Sequence, residues 1–564
     1  MLTAVGAGLK SRRRTDDLGH MTYASGVARA GRGGTKVART GLTVLVAVGM
    51  LALSGCLFTP GNPGAADVTL TIDTSAANRP ISPLIYGLNS PSAAQLSATR
   101  ATLVRLGGNR WTAYNWETNA SNAGSDYCYE NDDYLSSSTT PGAAIKPTLT
   151  MAHNAGATAL VTIPIVNEVA GDEAAQCNVQ NTPNYLALHF DQNLPTKGSA
   201  FSLTPSTTDG KVYQDEFVNW LKQAVPGEPT MIQLDNEPDL WSSTHPEVHP
   251  TAVTYAELLY RDAVYAKAVK AVWPSVKVIG PVNYGWEGFT NLQNASDAAA
   301  DGNFVDWYLK QMSTASANAG ERLIDDLDVH WYPEATGGGV RITNDASGDG
   351  AAEIAAREQA PRSLWDPSYV ESSWITDDVL HGPIDLLPGL QSKIAADYPG
   401  TGLSISEWDY GGGNEISGAI ADADVLGIFG QQGLTDAAYW PLFNNETFSM
   451  AAFAAFRNYD GNGASFGDTS IGATSSDPST ATVYASMNAA NHNQVVLVAI
   501  NKATTAKTAA IDLTAETVFK TAKVFTITSA KAAPVAAPGL TTAAQNAYLY
   551  TMPAQSVSII VPGS

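Results

Sequence analysis

The chain has 564 residues, a formal net charge of −22 at pH 7 and 44% hydrophobic residues, so it is long enough for a large domain with a substantial core and a smaller second domain. The acidic balance disfavours binding to nucleic acid or to anionic membranes and suits a neutral polymeric substrate, although it serves solubility equally well. We therefore predict no nucleic-acid partner, and we expect a monomer.

Residues 1–56 have the features of a bacterial export signal. A basic, Gly- and Ala-rich stretch precedes the apolar run 41–53, which is too short for a comfortable transmembrane helix. It leads into Leu53-Ser-Gly-Cys56, which resembles the lipobox of bacterial lipoproteins. We predict a signal peptide with lipidation at Cys56, so that the mature protein is anchored at the cell surface by its lipid or is extracellular. The alternative is an ordinary signal peptide with a chance cysteine.

The remaining cysteines, Cys128 and Cys177, form an even pair in an exported chain. Such pairs are commonly oxidised outside the cytosol, so we predict a disulfide between them. The sequence gives no distance between the two residues.

The segment after the signal divides into a linker and a strand. Residues 57–66 are rich in Pro and Gly and are predicted to be a flexible tether. Residues 67–80 contain Val68–Asp73, in which apolar residues alternate with period two, as in a half-buried strand. Because no helix follows this strand, we predict that it joins a C-terminal sandwich.

Residues 81–450 alternate between short apolar runs and stretches of helical periodicity. The predicted strands are 83–89, 102–109, 159–165, 230–241, 276–282, 323–332, 402–410 and 436–442, and the clearest helices are 213–225, 255–272 and 386–398. Eight βα units are the count of a TIM barrel. After residue 450, predicted strands at 483–487, 493–500, 508–513, 521–527 and 555–561 indicate an all-β sandwich over 451–564. The predicted fold is thus α/β, a TIM-like (β/α)8 barrel with an appended β-sandwich.

Two acidic residues lie at the ends of predicted barrel strands. Glu237 ends the fourth run and Glu407 ends the seventh. The carboxyl ends of parallel barrel strands form one face, so the two acids are expected to meet in one cleft. A single Glu is usually a surface or salt-bridged acid, but two such acids are the minimum equipment for hydrolysing a glycosidic bond.

The neighbours of the two acids suggest their roles. Glu237 fits the acid/base, because nearby apolar and anionic groups raise a carboxyl pKa; the candidates are Asp235, Asp239 and Trp241. Glu407 then fits the nucleophile, with Arg105 as a candidate for keeping it ionised. Asn236 is expected to hydrogen-bond a sugar hydroxyl or the nucleophile.

Aromatic residues cluster at the predicted strand ends, where flat rings could stack on sugar faces. The predicted substrate-binding aromatics are Trp116, Trp241, Trp331, Tyr332, Trp408 and Trp440. His330 is predicted to line the same pocket. For each of these residues, simple packing in the core is the alternative.

Several motifs together resemble glycoside hydrolase family 44. They occupy residues 105–110, 112–117, 119–126, 235–241, 361–367, 405–414 and 423–430. The resemblance implies a retaining endo-β-1,4-glucanase, often active on xyloglucan, with Glu237 as acid/base and Glu407 as nucleophile. The family's nucleophile is often followed by Tyr-Asn-Tyr, whereas Trp408-Asp-Tyr410 stands here, which could change a hydrogen bond or a subsite.

The resemblance implies no required cofactor, although relatives can carry a structural calcium. Glu130-Asn-Asp-Asp133 is the candidate cation site, with a solvated acidic loop as the alternative. The predicted substrate is a β-1,4-glucan, cellulose-type or xyloglucan. Two alternatives remain open: another retaining barrel hydrolase, such as a xylanase or mannanase, and a non-catalytic surface glycan-binding protein. The presence of both Glu237 and Glu407 favours the enzyme.

Overall fold

The computed structural model describes residues 57–174, 177–224, 226–227, 230–344 and 350–564. The predicted signal peptide and Cys56 lie outside these residues. In the described part of the chain, no helix combines the length and the apolar character needed to cross a bilayer.

Eight parallel strands close into a barrel, as predicted. In chain order they are Gly87–Asn89, Leu103–Leu106, Thr158–Ile163, Thr230–Leu234, Lys277–Tyr284, Asp326–Trp331, Gly402–Trp408 and Asp436–Tyr439. Each predicted apolar run contributes one of these strands, and each strand pairs with its neighbours in the sequence of barrel strands until the eighth meets the first. The ends of the strands therefore form one continuous rim, on which residues distant in sequence lie side by side.

Helices and short connecting turns surround the barrel. The α-helices are Ala93–Thr99, Lys146–Ala155, Tyr185–His189, Gln214–Ala224, Trp241–Thr244, Tyr255–Val272, Gly285–Asn291, Ala298–Asp301, Phe304–Ala319, Ala351–Gln359, Leu386–Asp397, Ile416–Gln432 and Thr447–Arg457. The three clearest predicted helices are confirmed to within two residues at each end. Short caps fix several starts: the Thr254 side chain, for example, accepts the Glu257 backbone N–H at the start of Tyr255–Val272.

Two antiparallel-rich sheets form the predicted β-sandwich. One contains, in spatial order, Gly472–Ser475, Val68–Asp73, Lys507–Thr514 and Ala547–Met552. The other contains Arg79–Pro80, Thr469–Ser470, Ala481–Asn488, Asn491–Asn501, Ser556–Gly563, Thr521–Thr528 and Lys531–Thr541. The N-terminal strand Val68–Asp73 thus lies inside the first sheet, parallel to Lys507–Thr514.

Short sheets decorate the loops of the barrel. One has three strands, Glu168–Ala170, Phe190–Leu194 and Lys211–Tyr213, and two have two strands each, Ser121–Asn122 with Asn131–Asp132 and Thr336–Gly337 with Val340–Arg341. None of these strands is among those that the sequence predicted.

The segment 57–66 contacts the sandwich, in contrast to the flexible tether that its composition predicts. The backbone of Phe58 forms two hydrogen bonds with Ala515, and the Gly61 N–H donates to the Gln545 carbonyl at 2.7 Å. Backbone pairing of this kind holds a segment that has little apolar burial of its own.

The helix Ile416–Gln432 lies between the barrel and the sandwich, and its residues 416–430 are all buried. At Gly427 the helix approaches the sandwich so closely that an added Cβ would lie 2.2 Å from the Tyr484 ring. Asp424, three residues before this contact, accepts hydrogen bonds from the hydroxyls of Thr482 and Tyr484 at 2.6 Å each. It also pairs with Lys502 Nζ at 2.6 Å, with both side chains 1% exposed.

Replacement of Lys502 by Met should destabilise the protein by about 3–5 kcal/mol, because it leaves the Asp424 carboxylate buried without its counter-charge. The measurement is the free energy of unfolding in urea. Lys523→Met, at an exposed position of the same sandwich, serves as the control and should change stability by less than about 0.5 kcal/mol. Equal stability of the two variants would show that this ion pair does not help to join the barrel to the sandwich.

Candidate active site

Glu237 and Glu407 both stand at the carboxyl ends of barrel strands. Glu407 is the residue before the last in the strand Gly402–Trp408. Here the pairing with the strand Asp326–Trp331 shifts register, and Glu407 pairs with His330. Such irregularities re-aim side chains at a barrel rim. Glu237 follows Thr230–Leu234 and has a left-handed backbone, with φ of 44°, as does Asp235 with φ of 63°. Left-handed conformations are uncommon for residues other than Gly, and they often occur at functional sites.

Arg105 and Tyr332 hold the Glu407 carboxylate. Arg105 Nη1 donates to Glu407 Oε1 at 2.6 Å, and the Tyr332 hydroxyl donates to Oε2 at 2.7 Å. The guanidinium is fully buried, and its Nη2 also donates to the Asn236 side-chain oxygen at 2.8 Å. Each oxygen of Glu407 therefore accepts a hydrogen bond from a fixed donor, which favours the ionised form.

His330 connects the two acids. Its Nδ1 lies 2.8 Å from Glu237 Oε1 and 3.5 Å from Glu407 Oε2. One carboxylate oxygen of Glu237, one of Glu407 and a ring nitrogen of His330 all lie within 4.8 Å of one another. The two carboxylate oxygens are therefore no more than 4.8 Å apart. This short separation is that of glycosidases that act with retention, whereas inverting enzymes need room for a water molecule between their carboxyl groups.

The surroundings of the two acids shift their pKa values in opposite directions. Burial raises the pKa of Glu237, and the negative charge of Glu407 adds to this, against the opposing effect of His330. Burial alone would also raise the pKa of Glu407, but the positive charges of His330 and Arg105 and the hydrogen bonds from Tyr332 and Arg105 hold it below its ordinary value. One acid is thus favoured as a proton donor and the other as a carboxylate.

The same group is better suited to proton transfer than to binding a metal ion. The spacing of Glu237, His330 and Glu407 would also permit a divalent cation. However, Arg105 already supplies a positive charge to Glu407, and His330 Nδ1 already bonds to Glu237. A cation would have to displace both interactions.

Two of the four predicted calcium-binding residues are engaged by protein groups. Both oxygens of Asp132 accept from Arg110 Nη1, at 2.7 and 2.8 Å. The Asn131 side-chain oxygen accepts from Asn122, and its amide nitrogen donates to the His189 carbonyl. These oxygens already accept from protein donors, which disfavours Asn131 and Asp132 as calcium ligands, and a calcium site at this loop stays a prediction.

Two open volumes, which together form the candidate cleft, lie on different sides of the barrel rim that carries the catalytic pair. On one side, a volume of about 700 Å³ is bounded by Gly108, Trp440, Tyr127 and Tyr134, among others. On the other side, a smaller volume of about 90 Å³ is bounded by residues that include Trp286, Tyr332 and Trp374. The close approach of Trp440 to Gly108, where an added Cβ would lie 2.5 Å from the ring, fixes the ring at the cleft wall.

Several predicted substrate-binding residues line or border this cleft. Asn236 accepts from Arg105 and from the Gly108 N–H, and it is 5% exposed. Tyr332 and Trp440 reach the cleft surface, and Trp331 borders it although its ring is nearly buried. Arg105 and His330 have no exposed surface, so they act on the acids and do not touch substrate.

The substrate-binding roles predicted for Trp116, Trp241 and Trp408 are wrong, because all three rings are fully buried. Trp116 stacks on Phe217 in the core. Trp241 lies behind the acid/base, with its Nε1 donating to Asp235 at 3.3 Å. Trp408 packs against rings behind the nucleophile strand, namely Tyr410, Phe429, Tyr439 and Phe453.

This difference between Trp440 and Trp408 predicts different mutant phenotypes. Trp408→Ala should destabilise the protein by about 3–5 kcal/mol through the cavity it leaves. Trp440→Ala should change stability little but weaken binding of a cello-oligosaccharide several-fold, through the loss of roughly 1 kcal/mol of stacking. Urea unfolding measures the stability of each variant. Calorimetric titration with the cello-oligosaccharide, carried out in the inactive Glu407→Gln background, measures its binding. If the Trp440→Ala variant binds the cello-oligosaccharide as tightly as the unsubstituted protein, this ring does not stack on the substrate.

The disulfide predicted between Cys128 and Cys177 is absent from the structure, in which both are free cysteines. The two thiols are nonetheless neighbours: a hydrogen bond with Cys177 is the main influence that raises the pKa of Cys128 to about 11.

The sequence analysis missed several residues of the site. Tyr127 and Tyr134 are exposed in a loop after the second barrel strand, and Trp286 and Trp374 follow the fifth and sixth strands. Tyr127, Tyr134 and Trp374 lie too far beyond the strand ends for periodicity to identify them, whereas Trp286 follows its strand by two residues and could have been identified. Three inward-facing polar residues beneath the acids were also missed, although each one interrupts an apolar run; they are Gln233, Asp328 and Ser406.

A parallel barrel with two carboxylates of opposed pKa at one open rim is the arrangement of a retaining glycoside hydrolase of the TIM-barrel class. The family model for glycoside hydrolase family 44 matches residues 120–335. A xyloglucanase of this family from Paenibacillus polymyxa, solved with xyloglucan, is 38% identical, with a TM-score of 0.84 over 88% of this chain and 99% of that one. The chain belongs to glycoside hydrolase family 44.

Two curated relatives are longer than this chain. An endoglucanase A from Paenibacillus lautus is 42% identical over 462 residues, which cover 78% of this chain and 64% of that protein. A β-mannanase/endoglucanase A from Caldicellulosiruptor saccharolyticus is 40% identical over 466 residues, which cover 77% of this chain and 34% of that protein. The matched part of this chain therefore spans about two thirds and one third of these relatives.

Proposed function

We propose that the protein is an endo-acting glycoside hydrolase that cleaves β-1,4-glucan backbones, cellulose-type or xyloglucan, by double displacement with retention and without a cofactor. The observation that carries the proposal is the pair Glu237 and Glu407, with oxygens no more than 4.8 Å apart and pKa values shifted in opposite directions. Two acids with these properties supply the proton donor and the nucleophile that the reaction needs.

In the first step the Glu407 carboxylate attacks the anomeric carbon while Glu237 gives its proton to the glycosidic oxygen. The bond from the anomeric carbon to Glu407 forms, the glycosidic bond breaks, and the shortened chain leaves with the proton. Arg105 and Tyr332 keep Glu407 ionised and oriented before attack.

In the second step Glu237 acts as a base. Its carboxylate takes a proton from water, the water oxygen attacks the anomeric carbon, and the bond to Glu407 breaks. The product keeps its anomeric configuration and both acids return to their starting states. Asn236, held by Arg105 and Gly108 beside the pair, is placed to hydrogen-bond a sugar hydroxyl during both steps.

The shape of the cleft supports attack within a chain. The wider and narrower parts of the cleft lie on different sides of the barrel rim that carries the pair, which supports binding of a polymer on both sides of the bond that is cleaved. The names of the relatives, an endoglucanase, a β-mannanase/endoglucanase and a xyloglucanase, support glucan substrates first and keep mannan as an alternative. Xylan is the other alternative polymer.

The test is release of reducing ends by residues 57–564 from carboxymethylcellulose, xyloglucan, glucomannan and xylan. We expect the two β-glucans to be the best substrates, with a rapid fall in viscosity that marks internal cleavage. Highest activity on mannan or xylan would replace the substrate assignment. Binding to these polymers without any turnover would favour a non-catalytic glycan-binding protein.

We further propose that the protein acts outside the cell as a monomer, and that its only membrane contact is a lipid on Cys56. The lipobox-like Leu53-Ser-Gly-Cys56 supports this. If Cys56 is lipidated, the docking of Phe58 and Gly61 on the sandwich would keep the anchor close to that domain. Cys56→Ser should release the protein into the medium of the host, whereas unchanged membrane retention would contradict the lipid anchor.

A further inference from the structure

A chain of buried polar side chains runs beneath the catalytic pair and ends at the acid/base. We propose that Asp328 and Ser406 are positioning residues that hold His330 in the tautomer with its proton on Nε2, so that the Nδ1 lone pair faces Glu237. This inference rests on the proposed function, because it concerns how the acid/base keeps its proton.

The contacts of the Gln233 amide fix its orientation. Arg105 Nε donates to one end of this amide at 2.7 Å, and a guanidinium can only donate, so that end is the oxygen. The Thr162 hydroxyl donates to the same oxygen at 3.0 Å. The amide nitrogen therefore faces Asp328 Oδ2 at 2.6 Å and Ser406 Oγ at 2.7 Å.

The neighbours of the Ser406 hydroxyl fix the direction of its proton. A hydroxyl has one proton and two lone pairs. Gln233 donates into one lone pair, and the Asp328 carboxylate, 2.8 Å away and able only to accept, takes the Ser406 proton. The other Asp328 oxygen accepts the Ser406 backbone N–H at 3.1 Å, which fixes the carboxylate. The remaining Ser406 lone pair faces His330 Nε2 at 3.1 Å, so this nitrogen must carry a proton.

The tautomer of His330 determines which protonation state of Glu237 is favoured. With its proton on Nε2, a neutral His330 presents a lone pair at Nδ1, 2.8 Å from Glu237 Oε1. A protonated Glu237 can donate to this lone pair, whereas an ionised Glu237 would face it without a proton between them. If His330 takes a second proton, that proton again lies between Nδ1 and Glu237. In both cases one proton is stored at this contact, from where the glycosidic oxygen can take it.

Charged and titratable groups surround the His330–Glu237 contact on several strands. They are Arg105 on the second strand, Asp239 after the fourth, Asp328 and Tyr332 on and after the sixth, and Glu407 on the seventh. Burial opposes a charge on His330, but the carboxylates of Glu407 and Glu237 raise its pKa above the ordinary value. The balance between these effects permits the proton to be shared instead of belonging to one residue.

Asp328→Asn tests the proposal, because it changes one atom of the network without changing its size. The new amide would accept the Ser406 N–H with its oxygen and donate to Ser406 Oγ with its nitrogen. It would lose the hydrogen bond from Gln233 Nε2, which keeps its bond to Ser406 Oγ. The Ser406 proton is then free to point at His330 Nε2, which moves the His330 proton to Nδ1, where it stabilises ionised Glu237. The alkaline limb of the kcat/KM profile should therefore move down by about one pH unit.

The controls separate this effect from lost stability. Ser406→Thr keeps the hydroxyl and should keep the wild-type limb. Ser404→Ala removes another buried hydroxyl of the same strand, which donates to Asp436 at 2.6 Å and has no bond to His330. This control should lower stability without moving the limb. A folded Asp328→Asn enzyme with an unchanged profile would overturn the proposal.

A neutron structure of the deuterium-exchanged wild type decides the tautomer without any need for turnover. We expect deuterium on His330 Nε2 and a Ser406 deuterium directed at Asp328. Deuterium on Nδ1 alone would overturn the proposal even in an active enzyme. If instead no polysaccharide is hydrolysed but deuterium occupies Nε2, the positioning holds and the proposed function fails.

Discussion

Replacement of Glu407 by Gln is expected to lower kcat on xyloglucan and carboxymethylcellulose by on the order of 10⁵-fold, because an amide cannot form the bond to the anomeric carbon. Glu237→Gln should cost less, about 10²- to 10⁴-fold, the usual contribution of a general acid. The variants should fold because Gln has the shape of Glu and keeps an acceptor oxygen, but Glu407→Gln should be less stable, since it leaves the buried Arg105 guanidinium without its counter-charge. Circular dichroism and urea unfolding check this point.

Azide distinguishes the two roles. In Glu237→Ala, an aryl cellobioside with a good leaving group needs no proton, so the glycosyl-enzyme forms and azide should attack it to give the β-glycosyl azide. In Glu407→Ala, azide can only replace the missing nucleophile directly and should give the α-glycosyl azide. Glu287→Gln, which removes a carboxylate from the cleft wall, is the control and should keep activity within a few-fold. Exchange of the two azide products would reverse the assignment.

Arg105→Lys is expected to lower kcat/KM by about 10- to 100-fold at the pH optimum. Lysine keeps the charge but loses the fork that bonds Glu407, Asn236, Gln233 and Asn89 at once, and one hydrogen bond to a charged group contributes about 1.5–3 kcal/mol. Since Arg105 lowers the pKa of Glu407, its loss raises that pKa. The acidic limb of the kcat/KM profile should therefore move to higher pH.

Tyr332→Phe is the matched comparison, because it removes one hydrogen bond from Glu407 without removing a charge. The acidic limb should move in the same direction but by less than in Arg105→Lys. The unfolding free energy of Arg105→Lys must be measured in parallel, since a buried guanidinium that loses its partners costs stability. A limb that stays in place in both variants, with folding intact, would mean that these donors do not control the ionisation of Glu407.

The barrel and the two acids could be predicted because both leave strong local signals. A parallel strand buried on both faces is a short continuous apolar run, and an acid that ends such a run is unusual. The sandwich strand Lys531–Thr541 could not be predicted in this way, because Pro534 and Pro538 and several Ala residues give it poor strand propensity. It is tolerated as the last strand of its sheet, where one side needs no backbone partner.

The sequence alone does not distinguish buried aromatic residues from those that face the cleft. Trp408 ends one buried strand and Trp440 directly follows another, and nothing in the local pattern separates the ring that packs behind the nucleophile from the ring that faces the cleft. The difference arises from the helices Ile416–Gln432 and Thr447–Arg457, which cover Trp408 with Phe429 and Phe453. In contrast, Gln233 was a visible signal, since a polar residue inside an apolar strand needs a buried partner.

The position of Val68–Asp73 inside the C-terminal sandwich has a consequence for how the protein reaches its native state. Asp67 and Thr508, which bond at the start of this strand pairing, are 441 residues apart in the chain. Closure of so long a loop is slow, and the strand has no partner until almost the whole polypeptide has been synthesised. The buried helix Ile416–Gln432 would also lack its cover until the last strands arrive. We therefore expect that the chain folds late and as a unit, and that a barrel truncated before residue 469 aggregates.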